Sequence, residues 1–201
     1  MNVDWTPPPP REGLAGEWDK LIGPGATRAE QWLIVMPALI APLLLLIHIL
    51  STDLDWSIVQ IIVGAVLALD VTGGIIANAT TAAKRWYHRP GQGTRQHLTF
   101  IALHGVHLLL VAWFFSGQDW LYFAIYFAYL LLAAWLIMRA PLYLRRSAAL
   151  LGVSLALLLN AYLLPAVAGM EWFIPFLFLK LLLSHLLPEA PYTPDARAPL
   201  A

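Results

Sequence analysis

The sequence predicts an all-α, polytopic membrane protein, in which a short interfacial amphipathic helix precedes a bundle of six transmembrane helices. Apolar residues make up 60% of the 201 residues, charged residues only 12%, and the mean hydropathy is +0.69. This composition is more apolar than that of a soluble domain of the same length. In addition, six long apolar runs lie between Gln31 and Pro188, and the short links on one side of them lack Lys and Arg.

The first 30 residues predict a polar segment on the cytoplasmic side. Residues 1–10 are polar and proline-rich, without the basic start and apolar stretch of a cleavable signal peptide. Residues 11–22 predict a short amphipathic helix on the membrane surface. Thr27 and Glu30 have the spacing of a capping box, which begins the first spanning helix. The apolar face of the surface helix comprises Leu14, Trp18, Leu21 and Ile22.

The six apolar runs predict the spanning helices of a transmembrane domain over 31–188. Each run is near the roughly 20 residues that cross about 30 Å of hydrocarbon. The sixth run is short, which favours a shallow position or a locally thinner bilayer. An even number of crossings places residues 1–30 and the C-terminal tail, 189–201, on the same side. In chain order the runs are 31–50, 56–80, 98–116, 120–138, 147–168 and 172–187.

The positions of Lys and Arg predict the orientation of the bundle, because positively charged short loops remain in the cytoplasm. The links 51–55, 117–119 and 169–171 contain neither residue, and every Lys or Arg except Lys180 falls on the other side. We therefore expect an inner-membrane protein with both termini cytoplasmic. A net charge of zero gives no reason to expect nucleic acid as a partner. The absence of cysteine from the sequence excludes disulfides, thiolate metal ligands and cysteine nucleophiles.

Ionisable side chains within the predicted spans are the strongest indication of a site. Each costs at least about 2.5 kcal/mol at the bilayer centre, so its presence there indicates a paired side chain or a functional role. With a rise of about 1.5 Å per residue, Asp70, His104 and His185 fall at one depth in the cytoplasmic half. His107 and Lys180 fall nearer the middle of the membrane. The sequence therefore predicts a polar pocket that opens towards the cytoplasmic leaflet.

The second predicted span carries a polar stripe beside small residues. Asp70, Gly74 and Asn78 recur every four residues and so share one helix face. Gly73 and Gly74 allow another helix or a ligand to approach the backbone beside Asp70. Close helix packing explains the two glycines as well as ligand binding does.

Residues 81–97 form the most basic segment of the chain. It is explained either as a cytoplasmic loop with an aromatic anchor or as a site for a phosphate or anionic lipid headgroup under the polar layer. The second interpretation uses Arg as a bidentate donor. The predicted substrate-binding residues are Asn78, Lys84, Arg85, His88, Arg89 and His97, together with Lys180.

The histidines are compatible with a metal, with haem or with no cofactor. His104 and His107 are three residues apart and, with Asp70, are candidate ligands of a divalent metal. His104 and His185 lie on different helices at similar depth, which allows haem ligation. A neutral histidine bonded to a carbonyl or to Asp70 requires no cofactor. The sequence contains no HExxH motif.

Three classes of function follow from these residues. The leading hypothesis is a membrane-embedded enzyme acting on a lipid-like or isoprenoid substrate, in which Asp70 and His104 do acid–base work and His107 and His185 supply further imidazoles. Arg85 and Arg89 would hold an anionic headgroup. One alternative is a proton-linked carrier of a small solute, with a relay through Asp70, His107 and Lys180. The other is a structural or assembly subunit, in which buried polar groups only join helices.

Overall fold

The computed structural model describes residues 2–164 and 167–193, and within these ranges the chain is built of helices. One antiparallel pair of two residues each, Asn2–Val3 (β1) and Tyr192–Thr193 (β2), joins the two ends of the described chain. The predicted all-helical fold class is confirmed apart from this pair. The predicted tail beyond 193, and positions 165–166 of the predicted fifth span, lie outside the described residues.

Five helical spans among the described residues are long and apolar enough to cross a membrane, as in a multi-pass membrane protein. They are Arg28–Ser51, Ile58–Ala79, Thr94–Phe114, Trp120–Arg139 and Leu142–Tyr162, the last of which begins with a 3-10 turn, Leu142–Leu144. The sixth predicted span, 172–187, contains a shorter apolar helix, Phe173–His185, whose second half, Leu179–His185, is π-helical. The α-helices are α1 (Gly13–Ile22), α2 (Arg28–Ser51), α3 (Ile58–Ala79), α4 (Thr81–Tyr87), α5 (Thr94–Leu103), α6 (Gly105–Phe114), α7 (Trp120–Arg139), α8 (Arg145–Tyr162) and α9 (Phe173–Phe178).

Polar side chains fix where several of these helices begin. The predicted capping box is confirmed, because the backbone N–H of Glu30 donates to the Thr27 hydroxyl at 3.2 Å and the Glu30 carboxylate accepts from the backbone N–H of Thr27 at 2.8 Å. Ser57 and Gln60 form a second capping box at the start of α3. Asp119 caps α7 with its carboxylate. These bonds satisfy backbone donors that have no partner within the helix.

The third predicted span is broken at His104. α5 ends one residue before His104 and α6 begins one residue after it. At the break, the backbone N–H of His104 donates to Ile101 and that of His107 donates to His104, both at 3.0 Å and both three residues back. This tighter winding changes the direction in which the following side chains point.

The shorter last helix lies in the interior of the bundle. Phe178, Leu181 and Leu182 are completely buried, and the helix packs against α3, α7 and α8. By contrast, α2 exposes a row of leucine and isoleucine side chains to its surroundings. At the edge, α1 packs against α3 and α4, with Ile22 buried and Leu14 exposed. The last helix can therefore carry polar groups to the centre of the fold.

Candidate functional site

A charged cluster connects α3, α6 and the π-helical segment. Nζ of Lys180 donates to Oδ2 of Asp70 at 2.6 Å and to the backbone oxygen of Asp70 at 3.3 Å. Nε2 of His107 lies 2.7 Å from the same Oδ2, and it donates because a carboxylate paired with an ammonium can only accept. The Lys180 side chain is 4% exposed and that of Asp70 is 43% exposed. We call Asp70, His104, His107 and Lys180 the Asp70 cluster.

His104 presents a ring nitrogen that has no hydrogen-bond partner among the residues that the structure describes. Its Nδ1 lies 2.8 Å from the backbone oxygen of Phe100, and since a carbonyl only accepts, Nδ1 carries the proton. The lone pair of the neutral ring is then on Nε2. The ring also stacks on His107, with centroids 5.0 Å apart and planes inclined by 13°. His104 is therefore oriented by α5 as a proton acceptor.

The two glycines of α3 explain how the cluster is assembled. A Cβ atom on Gly74 would lie 2.8 Å from Nζ and 2.9 Å from Cδ of Lys180, which is closer than such atoms approach. A Cβ atom on Gly73 would lie 2.8 Å from Cβ of Ala38 on α2. The predicted close approach to the backbone is thus confirmed, with Lys180 at one glycine and a neighbouring helix at the other.

A cavity of about 360 Å³ adjoins the Asp70 cluster. Its walls are mainly apolar, and its polar residues are Asp70, Asn78, His104 and Lys180, with the hydroxyl-bearing Tyr87. Most of the apolar wall comes from helices near the N-terminus: Trp18, Leu21 and Ile22 of α1, and Ile34 and Ala38 of α2.

The cavity reaches the surface of the protein. Two of its lining residues, Leu21 and Leu69, are 58% and 44% exposed. His107 is not among the lining residues and lies behind Asp70. Its Nδ1 is buried and has no hydrogen-bond partner among the described residues. Three members of the cluster can therefore touch a molecule in the cavity, and His107 acts on it only through Asp70.

The structure places His185 in a second group of histidines, with His88 and His97. Nε2 of His185 lies 3.0 Å from Nδ1 of His97, and Nε2 of His88 lies 3.0 Å from the backbone oxygen of His185. The rings of His88 and His97 stack with centroids 4.7 Å apart. We call these three residues the His185 cluster. The prediction that grouped His185 with Asp70 is thus replaced by two separate clusters.

Phe100 separates the two clusters and was missed by the sequence reasoning. Its ring stacks on His185 at 4.0 Å and contacts His104 at 4.5 Å between centroids. Haem ligation by His104 and His185 does not fit, because Phe100 lies between the imidazoles and His97 occupies Nε2 of His185. Phe100 lies four residues before His104, and this helical spacing was the sequence feature that could have indicated their contact.

The distances between ligand atoms in the Asp70 cluster suit a metal ion, but the positive charge of Lys180 does not. The ligand atoms of Asp70, His104 and His107 all lie within 4.8 Å of one another. However, the Lys180 ammonium already lies against Oδ2 of Asp70 and would repel a divalent cation there. A metal would have to displace Lys180, so the arrangement is that of an ion pair with two imidazoles.

Lys84 and His88 in the basic segment face the protein interior. The Lys84 side chain is buried, and Nζ donates to the backbone oxygens of Ser184 and of Leu187, the latter at 2.8 Å. Burial lowers the pKa of Lys84 to about 8. Burial, with the nearby His97 and Lys84, lowers the pKa of His88 to about 3, so His88 is neutral at pH 7.

The two arginines predicted to hold a headgroup differ in their surroundings. The guanidinium of Arg89 lies 3.5 Å from the ring centroid of Trp86 and donates to the Trp86 backbone oxygen. Burial lowers the pKa of Arg89. Nε of Arg85 is buried without a hydrogen-bond partner in the part of the chain that the structure describes. Arg85 thus has an unpaired but buried donor, and Arg89 is held by Trp86. Neither arginine is among the residues that line the cavity beside the Asp70 cluster.

The fold and the site together define a multi-pass helical membrane protein with an internal Asp–His–Lys cluster beside an apolar cavity. No model of a known protein family matches the sequence, and comparisons with curated proteins and with solved structures found no significant similarity. A function for this chain is therefore inferred from the geometry of the site.

Proposed function

We propose that this protein is a membrane-embedded enzyme that performs acid–base chemistry on a lipid-like or isoprenoid substrate. The observation that carries the proposal is the cavity, which combines apolar walls with Asp70, His104 and Lys180. Apolar walls with a few convergent polar groups are the usual form of a small-molecule site. Exposure of Leu21 and Leu69 at its edge gives an amphiphilic molecule a route in from the side.

Each polar group has a distinct role in this proposal. His104 accepts a proton at Nε2, because its Nδ1–H is held by Phe100. The Lys180 ammonium stabilises negative charge that develops on the substrate. Asp70 is the counter-ion of Lys180, and His107 positions Asp70 from behind. Asn78 hydrogen-bonds polar atoms of the substrate.

We further propose that the last apolar helix, Phe173–His185, is a sixth crossing and that 31–188 is the transmembrane domain. The absence of Lys and Arg from the links on one side supports an inner-membrane location with 1–30 and 189–201 cytoplasmic. α1 would lie at the membrane surface and close one side of the cavity. Its contact with the basic segment, where the Tyr87 hydroxyl donates to the backbone oxygens of Lys20 and Leu21, supports this placement.

Of the two arginines, Arg85 is the stronger candidate for an anionic headgroup of the substrate, because its Nε has no partner among the described residues. Arg85 does not line the cavity and this nitrogen is buried, so the role requires the Arg85 side chain to move towards the headgroup. Lys84, His88 and His97 then support the last helix rather than the ligand, since their polar atoms bond to it or to one another.

The test is lipid conversion by purified protein in liposomes made from inner-membrane lipid extract. Mass spectrometry before and after incubation should show one lipid class depleted by the wild type. We expect His104→Ala to lower that rate by about 100-fold or more, as for the loss of a general base. Asp70→Asn should also lower it, because Lys180 loses its counter-ion. His48→Ala is the matched control, because His48 is an exposed histidine of α2 outside this cavity. Equal rates in all four proteins would contradict the proposal.

A proton-linked carrier is the second candidate, and the direct contacts of Lys180 and His107 with Asp70 favour it. These are the three residues that a relay at mid-membrane requires. Proteoliposomes containing a pH-sensitive dye would report solute-driven proton flux. Flux that changes neither with pH nor in the Lys180→Ala variant would count against a carrier.

A further inference from the structure

A large groove on the outside of the bundle is separate from the Asp70 cluster. It has a volume of about 1040 Å³ and lies between α5 and α7. The face of α5 that lines it, with Leu98, Thr99 and Ala102, differs from the face that carries His97 and His104 inward. The groove is therefore a second place where a molecule can bind.

The groove has a basic end and an apolar body. Arg95 near the start of α5 and Arg139 at the end of α7 both line it. Both arginines are exposed, and neither forms an ion pair with any residue within the described ranges. None of the described residues that line the groove is acidic. Two cations thus line one groove without a counter-charge from the described residues.

A local contact orients one of these cations at the groove. The guanidinium of Arg139 lies 5.6 Å from the ring centroid of Trp135, which also lines the groove and is 43% exposed. The hydroxyl of Thr94 adds a donor beside Arg95. Away from the arginines the groove has an apolar lining, which suits a hydrocarbon chain. This lining includes Leu98, Ala102 and Leu131.

We propose that this groove binds an anionic phospholipid, with its phosphate between Arg95 and Arg139 and an acyl chain along the apolar body. Arginine pairs phosphate oxygens through two parallel hydrogen bonds, and basic pockets at helix ends are a recognised form of lipid site. A free phosphate would leave the apolar body of the groove uncovered, whereas a phospholipid covers both parts. This site does not depend on the proposed enzyme activity.

The first measurement is lipid binding to purified full-length protein by native mass spectrometry. Phosphatidylglycerol and phosphatidylcholine with identical acyl chains are the probes, and inorganic phosphate is a third. We expect phosphatidylglycerol to bind about 10- to 30-fold more tightly than phosphatidylcholine. The choline cation cancels the phosphate charge, so only the net anionic lipid gains about 1 kcal/mol from each arginine. In the Arg95→Gln/Arg139→Gln variant this preference should disappear. The Lys20→Gln/Arg28→Gln control removes the same charge elsewhere and should keep it.

The second measurement locates the lipid. The chain has no cysteine, so one introduced cysteine can be labelled uniquely with a fluorophore. Thr99→Cys places the label in the groove. Leu150→Cys is the exposed control, because Leu150 is as far from the start of α8 as Thr99 is from the start of α5. Brominated phosphatidylglycerol should quench the label at 99 more strongly than the label at 150. Equal quenching, an unchanged preference in the double arginine variant, or displacement by inorganic phosphate would overturn the proposal.

Discussion

The Nζ atom of Lys180 lies 2.6 Å from Oδ2 of Asp70 and joins the last helix of the bundle to α3. Because Lys180 is almost completely buried, its ammonium depends on this carboxylate for compensation. Gly74 leaves the space through which the lysine side chain reaches its partner. The same contact thus stabilises the fold and defines the chemistry of the site.

The Lys180–Asp70 contact predicts strong coupling between the two residues in stability. Lys180→Met leaves a carboxylate without its cation and should cost roughly 3 kcal/mol, the low end of the range for buried pairs, since Asp70 is partly exposed. The double variant Lys180→Met/Asp70→Asn should be more stable than Lys180→Met alone. Thermal unfolding in detergent measures this, and additive losses in Tm would contradict the coupling.

The hydrogen bond to Phe100 predicts the tautomer of His104. Nitrogen NMR of histidine-labelled protein should show a ring with its proton on Nδ1 and a free Nε2, and this signal should be absent from His104→Ala. His107 should show the opposite pattern, with the proton on Nε2. A single averaged signal for His104 would mean that the bond to Phe100 is not kept.

The low pKa of His88 predicts sensitivity of the fold to acid. Unfolded histidine takes up a proton near pH 6.5, whereas folded His88 does so only near pH 3. The unfolded state therefore binds more protons between these values, and the free energy of unfolding falls as pH falls from 6.5. One such group accounts for about 2 kcal/mol at pH 5.

A non-titrating variant isolates this contribution. His88→Gln keeps a donor for the His185 backbone oxygen and should lose less stability than the wild type between pH 7 and pH 5. His48→Gln, at an exposed position, should leave the pH dependence unchanged. Parallel curves for wild type and His88→Gln would show that His88 is not the responsible group.

The position of Lys84 predicts its role in holding the end of the last helix. Lys84→Met should leave the backbone oxygens of Ser184 and Leu187 without a donor, at a cost of roughly 3 kcal/mol. Hydrogen exchange should accelerate in 184–189 in this variant. Lys20→Met, at an exposed lysine, should not change exchange there. Unchanged exchange in Lys84→Met would contradict the role.

The five long apolar helices could be predicted from the sequence because they depend on local properties. Apolar runs set the spans, and the Thr27–Glu30 capping box sets the start of α2. The grouping of Asp70 with His104 and His107 followed from helical spacing. The carrier hypothesis joined Lys180 to Asp70 and His107 in a relay, but the leading hypothesis did not pair Lys180 with Asp70. Depth along a helix gives only the position of the backbone, whereas a lysine side chain extends beyond it.

The two histidine clusters could not be separated from the sequence alone. Depth placed His185 near His104, and the two are indeed near, but Phe100 lies between them. The rotation of a helix about its axis decides which neighbour a side chain meets. That rotation depends on packing and on irregular winding, such as the break at His104, which no periodicity in the sequence reveals.

The π-helical winding of Leu179–His185 explains how one short helix serves both clusters. In an α-helix, residues five apart differ by about 140° in azimuth, so Lys180 and His185 would point to different sides. Hydrogen bonds from i to i+5 bring positions five apart towards one side. Regular α-helical winding of the same residues would turn His185 away from His97 while Lys180 stayed in place. The π-helical winding thus sets the register between two otherwise separate sets of polar groups.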